Sequence, residues 1–451
     1  MAERDARANR PGDDDDLHQR CAAWIDADPA VVDDPYPLWA DLRQQCPVIQ
    51  EPGHGVWLIS RFDDCQAIAR DSATWSSVLA AKGAIRGEDI PAVREMRSHL
   101  RAVARGEETT EDTGDLIDAA LRDQVDRLQH NDPPSYNEYR TLVSRWFTPG
   151  RVAALEPRVR QVTRDLIDAF PDDGQLEFLT AFAGPLPGTI IADLLDVPAE
   201  YRTDFIEWDN VVAGNTPLFE AQDDEGTARL ERIGRVHEWL ELAVAERRNR
   251  PGSDLVSLLV TSRLGNGDSL RDAHARQIAF TFHVGGQETT SKLLTSSMRL
   301  LAGNPELQAT LRADPALIPA FVEEALRIQS PTQGLFRVAR ADTEVNGVRY
   351  RAGSLVQLLW GSANRDEAIF ENPDVIDLGR ANLRSHLAFG HGVHLCPGNH
   401  LARLEGTVAV EELLAATSSI ELDPTNTYEY MTSHVMRGLR RLDLIVDPVR
   451  G

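Results

Sequence analysis

The stretch that most constrains this chain is FGHGVHLCPG, Phe389 to Gly398, with a helical pattern, NHLARLEGTVAVEELLAAT, directly behind it. One cysteine sits in a glycine-bearing loop at the mouth of a helix. Gly392 and Gly398 supply backbone freedom. Pro397 suits the first position of the helix, because it gives up a donor that would be orphaned there anyway. The helix N-terminus favours the anionic form of the thiol. Three readings follow. A buried free cysteine is the common fate of this residue. His391, His394, Cys396 and His400 offer zinc-type ligands, although their spacing matches none of the usual zinc patterns. The third reading is a thiolate that ligates a soft metal from an open loop.

The chain has 451 residues, 42% of them hydrophobic, enough for a large core. The net charge of −24 excludes nucleic acid or an anionic membrane as a main partner. The four cysteines imply a reducing cytoplasm and no disulfide framework. No apolar run reaches the roughly 18 residues of a membrane span. The polar start, MAERDARANRPGDDDD, reads as a disordered acidic tail over residues 1–20, ahead of the catalytic part at 21–451.

After the tail, DPYPLWADLRQQC reads as a short helix, GVWLISRF as a strand and FDDCQAIARD as a helix. Residues 76–131 read as helical pieces around a solvated acidic loop, RGEETTEDTGD. From 152 to about 250 the spacing is helical, and Ser253 or Asp254 is a candidate cap for the helix that follows. Then comes the long apolar helix LRDAHARQIAFTFHVGGQETTSKLLTSSMRLLAG. Gly285 and Gly286 lie in mid-helix, each costing about 1 kcal/mol against alanine. Close helix packing would offset that cost. A flat cofactor lying on the helix, with locally widened helical hydrogen bonds, would do so too. Glu324 and Arg327 are three apart and share a helix face.

Four stretches, VGGQETT, EALR, ENPDVIDLGR and FGHGVHLCPG, together resemble the cytochrome P450 family in its order. Weaker similarity runs through most of the chain from Asp34. The resemblance implies a mainly α (α+β) fold, a triangular prism of helices with small β-sheets. It implies a single domain over residues 21–451, with 76–131 an extended roof segment. Heme b would lie between the glycine-bearing helix and the cysteine loop, with Cys396 its axial ligand. Phe389, Gly392, His394 and Gly398 would frame the heme from below, and Gly285 and Gly286 from above. Arg337, Arg140 and His394 would hold its carboxylates. Family members usually carry a histidine four residues before this last arginine. Tyr136 stands there, so it is expected to donate one neutral hydrogen bond. Thr289 would be the hydroxyl facing dioxygen and Glu288 the acid that relays protons. Glu324, Arg327 and Arg380 would form a buried cluster supporting the cysteine loop.

The activity implied is monooxygenation of a small hydrophobic substrate by O2. Electrons would come from a separate ferredoxin and its NAD(P)H-dependent reductase, steered by Arg140, Arg145, Arg151 and Arg403. His283, Val284, Thr332, Gln333 and Leu335 are the candidate substrate contacts. A peroxide-driven peroxygenase and a heme carrier without turnover remain as alternatives, and the Glu288–Thr289 pair argues against both.

Overall fold

The computed structural model describes residues 13–80, 91–104, 107–123, 128–207 and 224–449. A 31-residue helix, Asp272–Ala302, runs through the middle and is called the central helix below. From Thr290 to Met298 every one of its residues is buried, as expected of a helix that is enclosed rather than amphipathic. It packs against helices Pro185–Leu195, Asp224–Asn249, Ile318–Gln329 and Asn399–Ala416. Leu293, Leu294 and Met298 of the central helix, Ile190, Phe321, Val322, Val408 and Leu413 join one apolar cluster. Each such side chain contributes about 1.5–3 kcal/mol on burial.

The strands are short. They are β1 (Val48–Gln50), β2 (Trp57–Ile59), β3 (Trp75–Ser76), β4 (Gln175–Glu177), β5 (Leu335–Ala339), β6 (Thr343–Val345), β7 (Val348–Tyr350), β8 (Leu355–Leu358), β9 (Thr417–Leu422) and β10 (Asp443–Pro448). Three sheets result, in the orders β1-β2-β8-β5-β3, β4-β10-β9 and β6-β7. In the largest, β5 lies antiparallel to β8 with Arg337 opposite Val356, and β2 runs parallel to β8. Alternate residues of a strand share a face, so β5 turns Leu335 and Arg337 the same way. Among the described residues the fold is mostly helical with small sheets, as the sequence implied.

Three expectations need correction. The tail does not extend to residue 20. A helix spans Asp13–Ile25, and Leu17, Cys21 and Trp24 are buried at helical spacing; residues 1–12 lie outside the described residues. The acidic stretch after residue 104 is not all loop, since Thr113–Asp115 open a second helix, Thr113–Asp123. The central helix keeps regular α geometry through Gly285 and Gly286, with no widened turn. Within residues 76–131, helices Pro91–Ala104 and Thr113–Asp123 bury Met96, Leu100 and Ile117 in one cluster with Trp24, Val338 and Leu355 of the sheet side. The choice of cap is also settled: Asp254 accepts from the Ser257 amide at 2.9 Å.

Candidate active site

Cys396 emerges from a loop closed upon itself. Its amide donates to the Phe389 carbonyl at 2.9 Å. Gly392 has φ +71°, and a Cβ there would stand 2.4 Å from the Ala69 carbonyl oxygen, so only glycine fits. Gly398 is different. Its φ is −81°, and the nearest atom to a Cβ would be the Cys396 sulfur at 3.9 Å. It leaves room beside the sulfur rather than supplying a turn. The helix behind the loop is Asn399–Ala416 with Gly398 as N-cap. Pro397 therefore precedes the helix and does not occupy its first turn.

The backbone amides of Gly398 and Asn399 reach the sulfur and, with Arg140 and Arg403, favour the thiolate. Burial outweighs them and pushes the thiol up from its ordinary value. The helix terminus alone does not ionise this cysteine. A bound cation is what would.

Above the sulfur lies a cavity, roofed by the central helix and floored by the cysteine loop. Thr281, Phe282, Gly285, Gly286, Thr289 and Leu293 line the roof. At roughly 100° per residue, these fall on one arc of the helix. His283, Val284 and Gln287 fall outside it. His283 is fully buried against Phe205, with ring centroids 4.5 Å apart, and burial holds its imidazole down at about 3. Gln287 donates to the Ile206 carbonyl at 2.6 Å. Thus His283 and Val284 are not on the cavity wall, and neither is Gln333, whose amide donates to the Gln329 and Ser330 carbonyls. Thr332 and Leu335 do line it. Gly285 has open space where a Cβ would stand, whereas a Cβ on Gly286 would meet Ile191 at 2.6 Å. One glycine clears the cavity and the other permits helix packing.

The Thr289 hydroxyl donates to the Gly285 carbonyl at 2.7 Å. Glu288 is half-buried beside it and is not among the lining residues. Phe147 stacks on Phe282 at 5.0 Å and closes one wall.

The rim is cationic. Arg337 is buried on β5 and lines the cavity. Its guanidinium donates to the Phe336 carbonyl at 2.7 Å. Burial pushes it down to about 10, and the attraction of Asp132 offsets this only in part. A buried cation so weakly compensated favours an added anion. Arg140 donates to the Leu395 carbonyl at 2.7 Å, and the Tyr136 hydroxyl donates to the Val393 carbonyl at 2.8 Å. Tyr136 and Arg140 are both on helix Ser135–Ser144, four residues apart, and so share a face.

Two buried ion-pair clusters stand on helix Ile318–Gln329, and one of them reaches the loop at Phe389. Glu324 and Arg327 are fully buried and paired at 2.7 Å; Arg380 joins Glu324 at 3.1 Å, and the Asp377 amide donates to Glu324 at 2.9 Å. Burial alone would raise the Glu324 carboxyl, but these partners lower it below its ordinary value. Arg327 also donates to the carbonyls of Asn364 and Pro373, tying distant loops together. The second cluster was not read from the sequence. Ala388 donates its amide to His386 Nδ1, which leaves Nε2–H to donate to Glu323 at 2.8 Å. Arg403 donates to Glu323 at 2.6 Å and lies over the Phe389 ring at 4.5 Å. Burial pushes the Glu323 carboxyl up, yet His386 and Arg403 outweigh it and hold it at about 2. The only hint was the doubled glutamate before ALR. Glu405 was missed as well. It lines the cavity, its Oε1 has no hydrogen-bond partner among the described residues, and burial pushes it up to about 8.

The donor set fits an iron porphyrin: a thiol below, a glycine-cleared helix above, and cations at the rim for two carboxylates. A zinc site does not fit, since no group of three or more His, Cys, Asp or Glu among the described residues could hold a metal ion. His391 instead accepts from Arg70 at 2.8 Å. No helix among the described residues is long and apolar enough to cross a membrane.

Comparison with known proteins points to one family. The family model for cytochrome P450 matches residues 233–429. Cytochrome P450 107B1 of Saccharopolyspora erythraea is 37% identical over 318 residues, 70% of this chain and 76% of that protein. The vitamin D(3) 25-hydroxylase of Pseudonocardia autotrophica is 31% identical over 421 residues, 92% of this chain and 94% of that protein. The substrate-free structure of Mycobacterium marinum cytochrome P450 CYP150A6 superimposes with a TM-score of 0.80 at 30% identity, covering 94% of this chain and 98% of the other.

Proposed function

The chain belongs to the cytochrome P450 family of heme-thiolate monooxygenases, and from that premise we propose that it places one oxygen atom of O2 into a lipophilic organic molecule, with electrons from a separate ferredoxin. The observation that carries the reading is the position of Cys396 at the floor of a cavity roofed by Gly285 and Thr289. When bound there, heme b supplies the iron that activates dioxygen, and the thiolate ligand favours O–O cleavage.

The protein's own groups do the rest. Arg337, with Arg140 and His394, would hold the porphyrin carboxylates. Thr289 carries a movable proton at Oγ1, 2.7 Å from the Gly285 carbonyl. It can release that carbonyl and donate into the cavity instead. Glu288, half-buried one residue away, is the proposed source of the replacement proton. The Phe147–Phe282 pair and Leu335 make part of the wall apolar, which would disfavour water there and help keep protons on that route. A lipophilic substrate matches a wall of phenylalanine, leucine and threonine, and one relative is named for vitamin D(3), a lipophilic molecule.

Of the four arginines expected to steer the ferredoxin, Arg403 is paired with Glu323 and Arg140 holds a loop carbonyl. Arg145, the C-cap of helix Ser135–Ser144, and Arg151, on helix Pro149–Ala153 with its guanidinium over the Trp146 ring, are exposed. They are the proposed steering charges on a strongly acidic chain.

The test is reconstitution with a surrogate ferredoxin, its reductase, NAD(P)H and lipophilic compounds selected by a heme spin-state shift. The expected result is a product carrying one 18O atom from 18O2. Spin-shifting compounds that yield neither NAD(P)H consumption nor labelled product would overturn the proposal.

A further inference from the structure

The cysteine loop has a weakness that its own sequence does not repair. Val393 and Leu395 are 37% and 43% exposed, so the segment leading into Cys396 is not anchored by apolar burial. Inside the loop, the Gly392–His394 turn and the Cys396 amide to Phe389 carbonyl bond fix its shape. They do not fix its position against the rest of the protein.

Ala69 and Arg70 hold the loop at Gly392 and His391, and helix Ser135–Ser144 fixes the half next to Cys396 through two side chains one turn apart. Tyr136 donates its hydroxyl proton to the Val393 carbonyl at 2.8 Å. Arg140 donates to the Leu395 carbonyl at 2.7 Å and also bonds the Tyr136 side chain. The Tyr136 ring lies 4.2 Å from that of His394, between the two carbonyls in sequence. Three consecutive residues before the metal ligand are therefore held by one helix face.

We infer that Tyr136 is a positioning residue for Cys396 and not a ligand of a porphyrin carboxylate. A phenol has a single proton to donate. Here it is committed to Val393, and the oxygen presents only lone pairs to an anion. The expected neutral hydrogen bond to a carboxylate is incompatible with this clasp. The carboxylates are left to Arg337, His394 and the remaining N–H groups of Arg140. Relative to a histidine at this position, the chain exchanges a cofactor contact for a loop contact.

The inference rests on the heme-thiolate reading, and the test separates the two. Wild type, Tyr136→Phe and Tyr136→His are purified as holoproteins. Heme content and the reduced, carbon monoxide-bound spectrum are followed at a mildly elevated temperature at which circular dichroism stays constant. The phenylalanine variant keeps the ring and removes only the clasp. It should retain wild-type heme content and lose the thiolate-ligated band roughly fivefold faster, the effect of one hydrogen bond. The histidine variant, able to donate to a carboxylate, should release heme more slowly into apomyoglobin while losing the thiolate band faster. A Tyr136→Phe protein that keeps its thiolate band at the wild-type rate but releases heme faster would overturn the inference, since the hydroxyl would then serve the cofactor. A wild type with no thiolate band would defeat the heme-thiolate reading itself.

Discussion

The two faces of the cavity are built on opposite principles. The floor is held by charge and backbone hydrogen bonds. Glu323, His386 and Arg403, then Tyr136 and Arg140, meet one short loop, while Glu324, Arg327 and Arg380 tie down the segment from Asn364 to Asp377 ahead of it. The roof is held by apolar packing, and its polar contacts are few. Thr289 bonds its own helix, and Gln287 bonds the Ile206 carbonyl. The difference teaches which face is adjustable. A metal ligand must stand in one place, and buried ion pairs that are lost together give an all-or-none support. A substrate wall must vary, and apolar side chains can be exchanged at modest expense to the fold.

Substitutions can break or sharpen this contrast. Cys396→Ser should abolish the thiolate-ligated spectrum and product formation below detection, while far-ultraviolet circular dichroism keeps the helical content. Glu324→Gln should lose about 3–5 kcal/mol, because it strands two buried arginines. Its readout is the urea midpoint together with heme content, and a stable, heme-replete variant would sink the claim that this cluster holds the floor. On the roof, Thr289→Ala should leave stability within about 1 kcal/mol of wild type. Product per NAD(P)H should fall roughly 10- to 100-fold, with hydrogen peroxide accounting for the electrons.

Glu323→Gln should cost about 1–3 kcal/mol at neutral pH. The Glu323 carboxyl is held at about 2 in the folded protein, below its ordinary value of 4.5. Its stabilisation is therefore complete above the ordinary value and is lost as pH falls through about 2. The gap between wild type and variant should close over that interval in acid-unfolding curves. Smallest of all, Leu335→Ala should change which compounds shift the spin state and their affinities by about 1–2 kcal/mol. The urea midpoint should barely move, because Leu335 is only partly buried.

The parts legible in the sequence were those with a local pattern. The cysteine loop, the paired mid-helix glycines and the i,i+3 spacing of Glu324 with Arg327 each carry a short motif, whereas the strand under Arg337 was not read. His283 and Val284 were misplaced as cavity residues although the information was present. At helical spacing they fall outside the arc shared by Thr281, Gly285 and Thr289. Other features had no local signature. The Tyr136–Val393 bond joins residues 257 apart, and the Glu323–His386 bond joins residues 63 apart. Such contacts exist only once the helices are packed. The helix at Asp13–Ile25 was hidden by its acidic start, since its buried residues Leu17, Cys21 and Trp24 begin just past the aspartate run.

The most direct test of the account is the absorption spectrum of the dithionite-reduced protein under carbon monoxide. The account predicts a strongly red-shifted Soret band, because Cys396 would ligate the heme iron as a thiolate. A band at the position of histidine-ligated heme, or a protein without heme absorption, would contradict it.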